Sequence, residues 1–287
     1  MDRRKSYISK IGIGTAQFGM DYGINNRSGK VSEGEVYKIL TYALEVGIDL
    51  LDTASSYGKA EVVLGSFDDI DRFKIISKFL DNEEPELSLK KSLKRLNVKN
   101  IYALLAHRFE SIKDNSVLDK LKDLKRKGLV KKIGASLYYP YELEYILKNS
   151  IDIDLIQVPY NVFDRRFEKY FPVLKEKGIE IHTRSAFLQG LFFIKSENLH
   201  SWFDSVKDKI KLIQEYADKK GVELSKLLLV WVLRNDFVDK VIIGVDSYEQ
   251  FLSNIDLNDE VFELVDFLDD FSVNDEKIIV PSLWRLK

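Results

Sequence analysis

Eight short apolar runs punctuate this sequence, and their spacing constrains the fold more than any other feature. They are IGIGTA (11–16), DLLDTA (49–54), FKIISKF (73–79), IYALLAH (101–107), KKIGAS (131–136), LIQVPYN (155–161), EIHTRS (180–185) and KVIIGV (240–245). Each is built around Ile, Leu or Val, and most end at a polar or small residue. Runs of this kind suit strands buried on both faces. The segments between them read as amphipathic helices. In SEGEVYKILTYALEVG (32–47), Ser32 stands where an N-cap belongs and Glu35 follows three residues later, the spacing of a capping box. Val36, Ile39, Leu40 and Leu44 share one face, and Gly47 ends the pattern. LDKLKDLKRKG (118–128), PVLKEKG (172–178) and LIQEYADKKG (212–221) also stop at glycine.

Strand and helix alternate eight times, which implies parallel strands joined by helical crossovers. Eight such units in 287 residues fit a single α/β domain over 1–287, a (β/α)8 TIM barrel with an eight-stranded parallel sheet. An open doubly wound sheet would carry a G-x-G-x-x-G turn after its first strand. GIGTAQFG (12–19) lacks that spacing. The interval 186–239 is too long for one crossover and is expected to hold an extra loop and helix before a helix near 224–234. The tail 272–287 follows the last helix and is expected to lie across the barrel mouth.

Composition narrows the class of function. Net charge is −2, which gives no nucleic-acid footprint. There is no cysteine, hence no disulfide or thiolate metal site. The basic start MDRRKSYISK (1–10) has no apolar stretch behind it, and no run approaches the length of a membrane span. A cytoplasmic protein without nucleic-acid or membrane partners and without a metal is expected; the oligomeric state is left open.

In such a barrel the active site is built at the C-terminal ends of the strands. Asp52 ends the second run, Lys78 the third and His107 the fourth, while Tyr57 lies in the loop after the second. Any one of these, alone, is more often a surface or structural residue. Together, on adjacent units, they make a general acid for a carbonyl. A tyrosine with a pKa of about 10 is a poor donor at neutral pH. An ammonium at Lys78 would lower that pKa, Asp52 would hold Lys78 charged, and His107 would orient the carbonyl oxygen.

These residues fall within a longer pattern. Gly47, Asp52-Thr53-Ala54, Tyr57-Gly58, Glu61 and Leu64-Gly65 follow G-x-x-x-x-DTA-x-x-YG-x-x-E-x-x-LG, and the sequence resembles the aldo-keto reductase family over nearly its whole length. The resemblance implies hydride transfer between a nicotinamide cofactor and a carbonyl or alcohol, with Asp52, Tyr57, Lys78 and His107 as catalytic tetrad. It places Gly14 and Thr15 near the nicotinamide ribose, and Ser136 and Gln157 on the carboxamide. Leu137 replaces the usual Asn, and Gln157 could instead be a buried amide bridging strands. Asn161 also fits the sixth-strand pattern. Ser185, Leu188, Gln189 and Gly190 match a loop over the pyrophosphate. Arg184 replaces an aromatic that stacks on the nicotinamide, and could instead be a barrel-mouth salt-bridge residue. Gly244, Ser247, Gln250 and Asn254 match the loop and helix around the adenosine phosphate. Asp246 stands where a basic residue is common, so NADP(H) is the family default and NAD(H) the alternative.

Candidate substrate contacts are Phe18, Met20 and Tyr22 after the first strand, Tyr138 and Tyr139 after the fifth, and Trp284 in the tail. The MDYGINN loop (20–26) and RSAFLQG (184–190) resemble bacterial-type reductases of sugar-like carbonyls. Two other classes remain open at this point. One is a Schiff-base barrel working through Lys78, and the other a non-catalytic sensor or partner subunit that only binds cofactor.

Overall fold

The eight apolar runs form eight strands that close into a parallel barrel in chain order. They are β1 (Ile11–Gly14), β2 (Leu50–Asp52), β3 (Lys74–Phe79), β4 (Ile101–Ala106), β5 (Val130–Ser136), β6 (Leu155–Pro159), β7 (Glu180–Arg184) and β8 (Lys240–Gly244). The structure, a computed structural model, describes residues 3–24, 26 and 29–286. Asn25 of the 20–26 loop and residues 1 and 2 of the basic start therefore lie outside the described residues. No described helix is long and apolar enough to cross a membrane.

Parallel closure follows from the crossovers. The helix Glu33–Val46 returns the chain from β1 to β2, burying Val36, Ile39, Leu40 and Ala43 against the strands. Ser32 accepts from the Glu35 N–H, and Gly47 ends the helix in the left-handed region. The expected capping box is only half made, because Glu35 turns its carboxylate to the N–H of Tyr248 on the neighbouring helix. The interval after β7 holds the expected insertion: three short turns, then the helices Lys207–Lys220 and Leu224–Leu233. A helix over Arg3–Lys10 precedes β1.

Inside the barrel, Leu50, Ile76, Ala103, Leu105, Leu155 and Ile242 form a small apolar plug. Below it the strand starts carry charges: Lys74 and Lys240 reach Asp49 at 2.8 and 3.2 Å, and Lys132 reaches Glu180 at 2.6 Å. Burial opposes ionisation of Glu180, but hydrogen bonds from His182, Lys132 and Tyr102 pull its carboxyl down to about 2. The bottom is thus closed by satisfied ion pairs, and the top carries the open cavity.

None of the described tail residues, 272–286, lines the cavity. The tail binds the outer rim, where Val273 donates to the Phe163 carbonyl, Glu276 pairs with Arg166 at 3.1 Å and Trp202 donates to the Lys277 carbonyl. Trp284 packs edge-on against Phe203, with ring centroids 5.1 Å apart, and donates to the Ile278 carbonyl. An aromatic with a local apolar partner has no reason to reach the barrel axis.

Candidate active site

A cavity of about 400 Å³ opens over the C-terminal ends of the strands, where the barrel rule puts it. Asp52, Tyr57, Lys78 and His107 all line it. Lys78 is almost completely buried, and its Nζ donates to Asp52 Oδ1 at 2.6 Å and to the Thr53 carbonyl at 3.0 Å. The other Asp52 oxygen accepts from Gln157 Nε2 at 2.7 Å, across the barrel from β6. Gln157 thus makes the strand-bridging bond that the sequence left as its alternative, and one of its amide hydrogens is committed. Lys78 Nζ lies 5.2 Å from the centre of the Tyr57 ring, and the Tyr57 and His107 rings meet edge-on at 6.2 Å.

The electrostatics correct one expectation. Burial raises the Tyr57 pKa; Lys78 pulls it back and Asp52 adds to the rise, so it stays above its ordinary value. Desolvation outweighs the nearby ammonium because the phenolate loses more hydration than one paired cation returns. Tyr57 therefore keeps its proton at neutral pH, and the Lys78 ammonium lies beside its ring. For Lys78, burial lowers the pKa, but the Asp52 charge and the hydrogen bonds to Asp52 and Tyr57 raise it further, and the amine stays charged. A protonated amine has no lone pair for Schiff-base attack. That reading of Lys78 loses its support.

Burial, together with the charges of Lys78 and Arg184, lowers the His107 pKa to about 4. The ring is neutral near pH 7 and can donate one N–H to a carbonyl oxygen. The pH profile of kcat/KM is expected to show no histidine limb between pH ~5.5 and 8, the ordinary imidazole range. It should fall only as acid protonates the ring near pH 4. A limb near pH ~6.5 that vanished in His107→Asn would contradict this assignment.

Tyr57 is held by a close approach of two loops. A Cβ on Gly19 would lie 1.8 Å from the Tyr57 carbonyl oxygen, and one on Gly58 would lie 2.5 Å from the Gly19 carbonyl oxygen. Gly58 also has φ +54°, in the region that favours glycine. The G of the DTA-x-x-YG pattern is thus a packing requirement that fixes the phenol.

The rest of the wall includes Gly14, Thr15, Met20, Tyr22, Ser136, Tyr138, Gln157, Arg184, Ser185, Gln189, Gly190, Gly244, Asp246 and Gln250. Gln189 donates to the Tyr22 hydroxyl at 3.1 Å, joining the loops after β7 and β1. Arg184 donates to the Leu137 carbonyl at 3.1 Å and lies 4.3 Å over the Tyr138 ring, so one face of its guanidinium is already stacked. Asp246 is anchored by Gln250, whose side-chain oxygen accepts the Asp246 N–H at 2.7 Å. Burial raises the Asp246 pKa, the nearby Gln17 and Gln250 side chains lower it, and the net shift is upward.

Six expected contacts do not reach the cavity. Phe18 and Leu188 point fully into the core. Ser247 caps the helix Tyr248–Ile255 by accepting from the Gln250 N–H, and Asn254 is buried on that helix. Trp284 belongs to the tail cluster. Tyr139 stacks on Tyr141 at 5.6 Å instead of lining the wall. In the loop after β7, Leu188 and Gly190 donate their N–H groups to Ser185 and Phe187, so these two amides are not free for an anion. Asn161 is a bracket: it accepts from the Phe163 and Asp164 N–H groups and donates to the Ser185 carbonyl.

The wall also holds residues that the sequence reading passed over: Gln17, Asn26, Ser56, Phe187 and Phe193. Gln17 had the clearest signal. Gly244 leaves room for its amide, since a Cβ there would come within 2.6 Å of Gln17 Nε2.

A sequence model of the Aldo/keto reductase family matches residues 10–269. The chain belongs to that family. It is an NAD(P)H-dependent oxidoreductase with the family's barrel. Among similar proteins, the Bacillus subtilis oxidoreductase YqkF is 26% identical over 279 residues, covering 86% of each chain. L-galactose dehydrogenase of Arabidopsis thaliana is 24% identical over 273 residues, covering 86% of this chain and 83% of its own. The holo structure of the aldo-keto reductase AKR11C1 from Bacillus halodurans superposes with a TM-score of 0.72. That structure is 24% identical and covers 93% of this chain and 94% of its own, a likeness of fold.

Proposed function

We propose that the cavity reduces a carbonyl compound at the expense of NAD(H), with Tyr57 as proton donor. The observation that carries this is the joint placement of Asp52, Tyr57, Lys78 and His107 on one wall. A nicotinamide held there would supply a hydride to the carbonyl carbon. The chain supplies everything else. Neutral His107 donates to the carbonyl oxygen and fixes its position. Tyr57 transfers its phenolic proton to that oxygen as negative charge grows there. Lys78 stabilises the phenolate by charge, and Asp52 with Gln157 keeps Lys78 in place.

The wall suits the cofactor. Beyond the tetrad it continues past Thr15 and Gly14 to Gly244, Asp246 and Gln250, and on the other side past Ser136 and Gln157. Ser136 and the uncommitted groups of Gln157 suit the carboxamide, and Ser185 and Gln189 suit the phosphates. Asp246 Oδ1 is buried without a hydrogen-bond partner, an acceptor looking for a donor. A free ribose hydroxyl supplies one; a 2′-phosphate repels it. The only cationic side chains on the cavity wall, among the described residues, are Lys78 and Arg184. Lys78 is held by Asp52, and Arg184 leans on Tyr138.

A fluorescence titration should therefore find NADH bound at least about tenfold more tightly than NADPH, a difference of ~1.4 kcal/mol. Asp246→Ser should narrow that ratio. Equal or tighter NADPH binding would overturn the NAD(H) assignment, and binding of neither would overturn the reductase reading. The substrate reading is a sugar-like carbonyl compound, supported by the aromatic and polar wall around Tyr22, Met20 and Tyr138 and by the similarity to L-galactose dehydrogenase.

A further inference from the structure

Arg184 is the one charged group on the wall that the proposed reduction leaves without a task. It is half-buried, yet among the described residues no carboxylate lies within ion-pair distance of it. Among other half-buried arginines, Arg95 holds Glu61 at 2.5 Å and Arg166 holds Asp164 at 2.8 Å, while Arg165 has no carboxylate but spends its donors on the Val162, Leu268 and Asp269 carbonyls. Two of the five guanidinium N–H donors are used, on the Leu137 carbonyl and, at 3.4 Å, on the Ser185 hydroxyl. The Nε atom is buried with no partner at all.

Arg184 lines the same wall as His107 and stands over the Tyr138 ring. It lowers the His107 pKa and pulls against the rise at Glu142, both on the β4–β5 side of the mouth. Glu142 feels the Arg184 charge but forms no ion pair with it; its Oε2 accepts from the N–H groups of Tyr138 and Tyr139, at 2.6 and 3.0 Å. Asp52 is taken by Lys78 and Gln157. A second guanidinium, Arg108, lies 5.8 Å from the centre of the Tyr138 ring and adds to the positive field at His107. Lys78, Arg184 and Arg108 thus give the side of the cavity where the carbonyl would bind a positive field, and no carboxylate there pairs directly with Arg184.

We propose that the substrate is an anionic carbonyl compound whose carboxylate or phosphate pairs with Arg184. Buried charges are normally paired, and a planar guanidinium with free donors is matched to these groups. The proposal deepens the reduction reading and rests on it for the carbonyl, but the anion site itself can be tested without turnover.

Succinate and inorganic phosphate are titrated calorimetrically into the wild type, Arg184→Gln and Arg184→Lys. In parallel, kcat/KM is compared for 4-oxobutanoate against butanal, and for glyceraldehyde 3-phosphate against glyceraldehyde. The expected result is anion binding to the wild type that is lost in Arg184→Gln and partly kept in Arg184→Lys. The charged aldehyde of one pair should be preferred by about 10- to 100-fold, and that ratio should collapse in Arg184→Gln. The pair that shows the effect identifies carboxylate or phosphate. No anion binding to the wild type, or binding and preference that survive Arg184→Gln, overturns the proposal. Anion binding that depends on Arg184 with no turnover of either aldehyde supports the site and counts against the reduction reading alone.

Discussion

Replacing Tyr57 by phenylalanine is expected to lower kcat for carbonyl reduction by about 10²- to 10⁴-fold, the usual contribution of a positioned general acid. The substitution removes one oxygen and leaves the ring against His107 and beside Lys78. Backbone packing at Gly19 and Gly58 is untouched, so the loop keeps its course. Cofactor affinity should be unchanged, because the residues assigned to the cofactor lie on β1, β5, β6 and the loops after β7 and β8. Single-turnover absorbance of the reduced cofactor separates the two effects. A variant that binds cofactor normally but keeps more than about a tenth of the rate would show that another group supplies the proton.

The second large effect concerns stability. Asp52→Ala removes both acceptors that hold Lys78 and Gln157, and leaves an ammonium almost completely buried without its anion. Breaking a buried pair from one side typically costs about 3–5 kcal/mol. Urea unfolding at neutral pH should show a loss of that order. The double replacement Asp52→Ala with Lys78→Met should be milder than the single one, because it removes the stranded charge. A single variant that lost under about 1 kcal/mol would mean that Lys78 gives up its proton or finds water, and the charged-lysine account of Tyr57 would fail with it.

The barrel was legible because its signals are local and periodic. Each strand is a short branched apolar run, and each crossover helix has a face, a cap or a closing glycine, as in Ser32 and Gly47. The tetrad followed from one rule about strand ends, applied to Asp52, Lys78 and His107. What escaped the sequence depends on side-chain direction or on distant partners. Gln157 meets Asp52 across 105 positions and an entire barrel diameter, which no spacing encodes. Leu188 falls in a loop where Ser185, Leu188, Gln189 and Gly190 all take positive φ, so strand or helix alternation cannot say which way it points. Trp284 looked like a lid because it is aromatic and terminal. Its destination was set by Phe203, a residue in an insertion whose path the sequence did not reveal. Gln17 was overlooked because its meaning lies in the missing side chain of Gly244.

The sign of the Tyr57 shift is instructive for the same reason. Sequence places an ammonium near a phenol and points to a lowered pKa; only the folded wall shows that the phenol also leaves water. The result still serves a reductase, since a donor must hold its proton until the carbonyl oxygen becomes basic.

The most direct test of the central claim is a single turnover of the wild type with NADH carrying deuterium at C4, using a panel of aldehydes that includes 4-oxobutanoate and glyceraldehyde. The account predicts that the label appears on the carbonyl carbon of the alcohol product, and that this transfer is lost in Tyr57→Phe. Cofactor binding without transfer to any aldehyde, or label transfer that is indifferent to Tyr57, would contradict it.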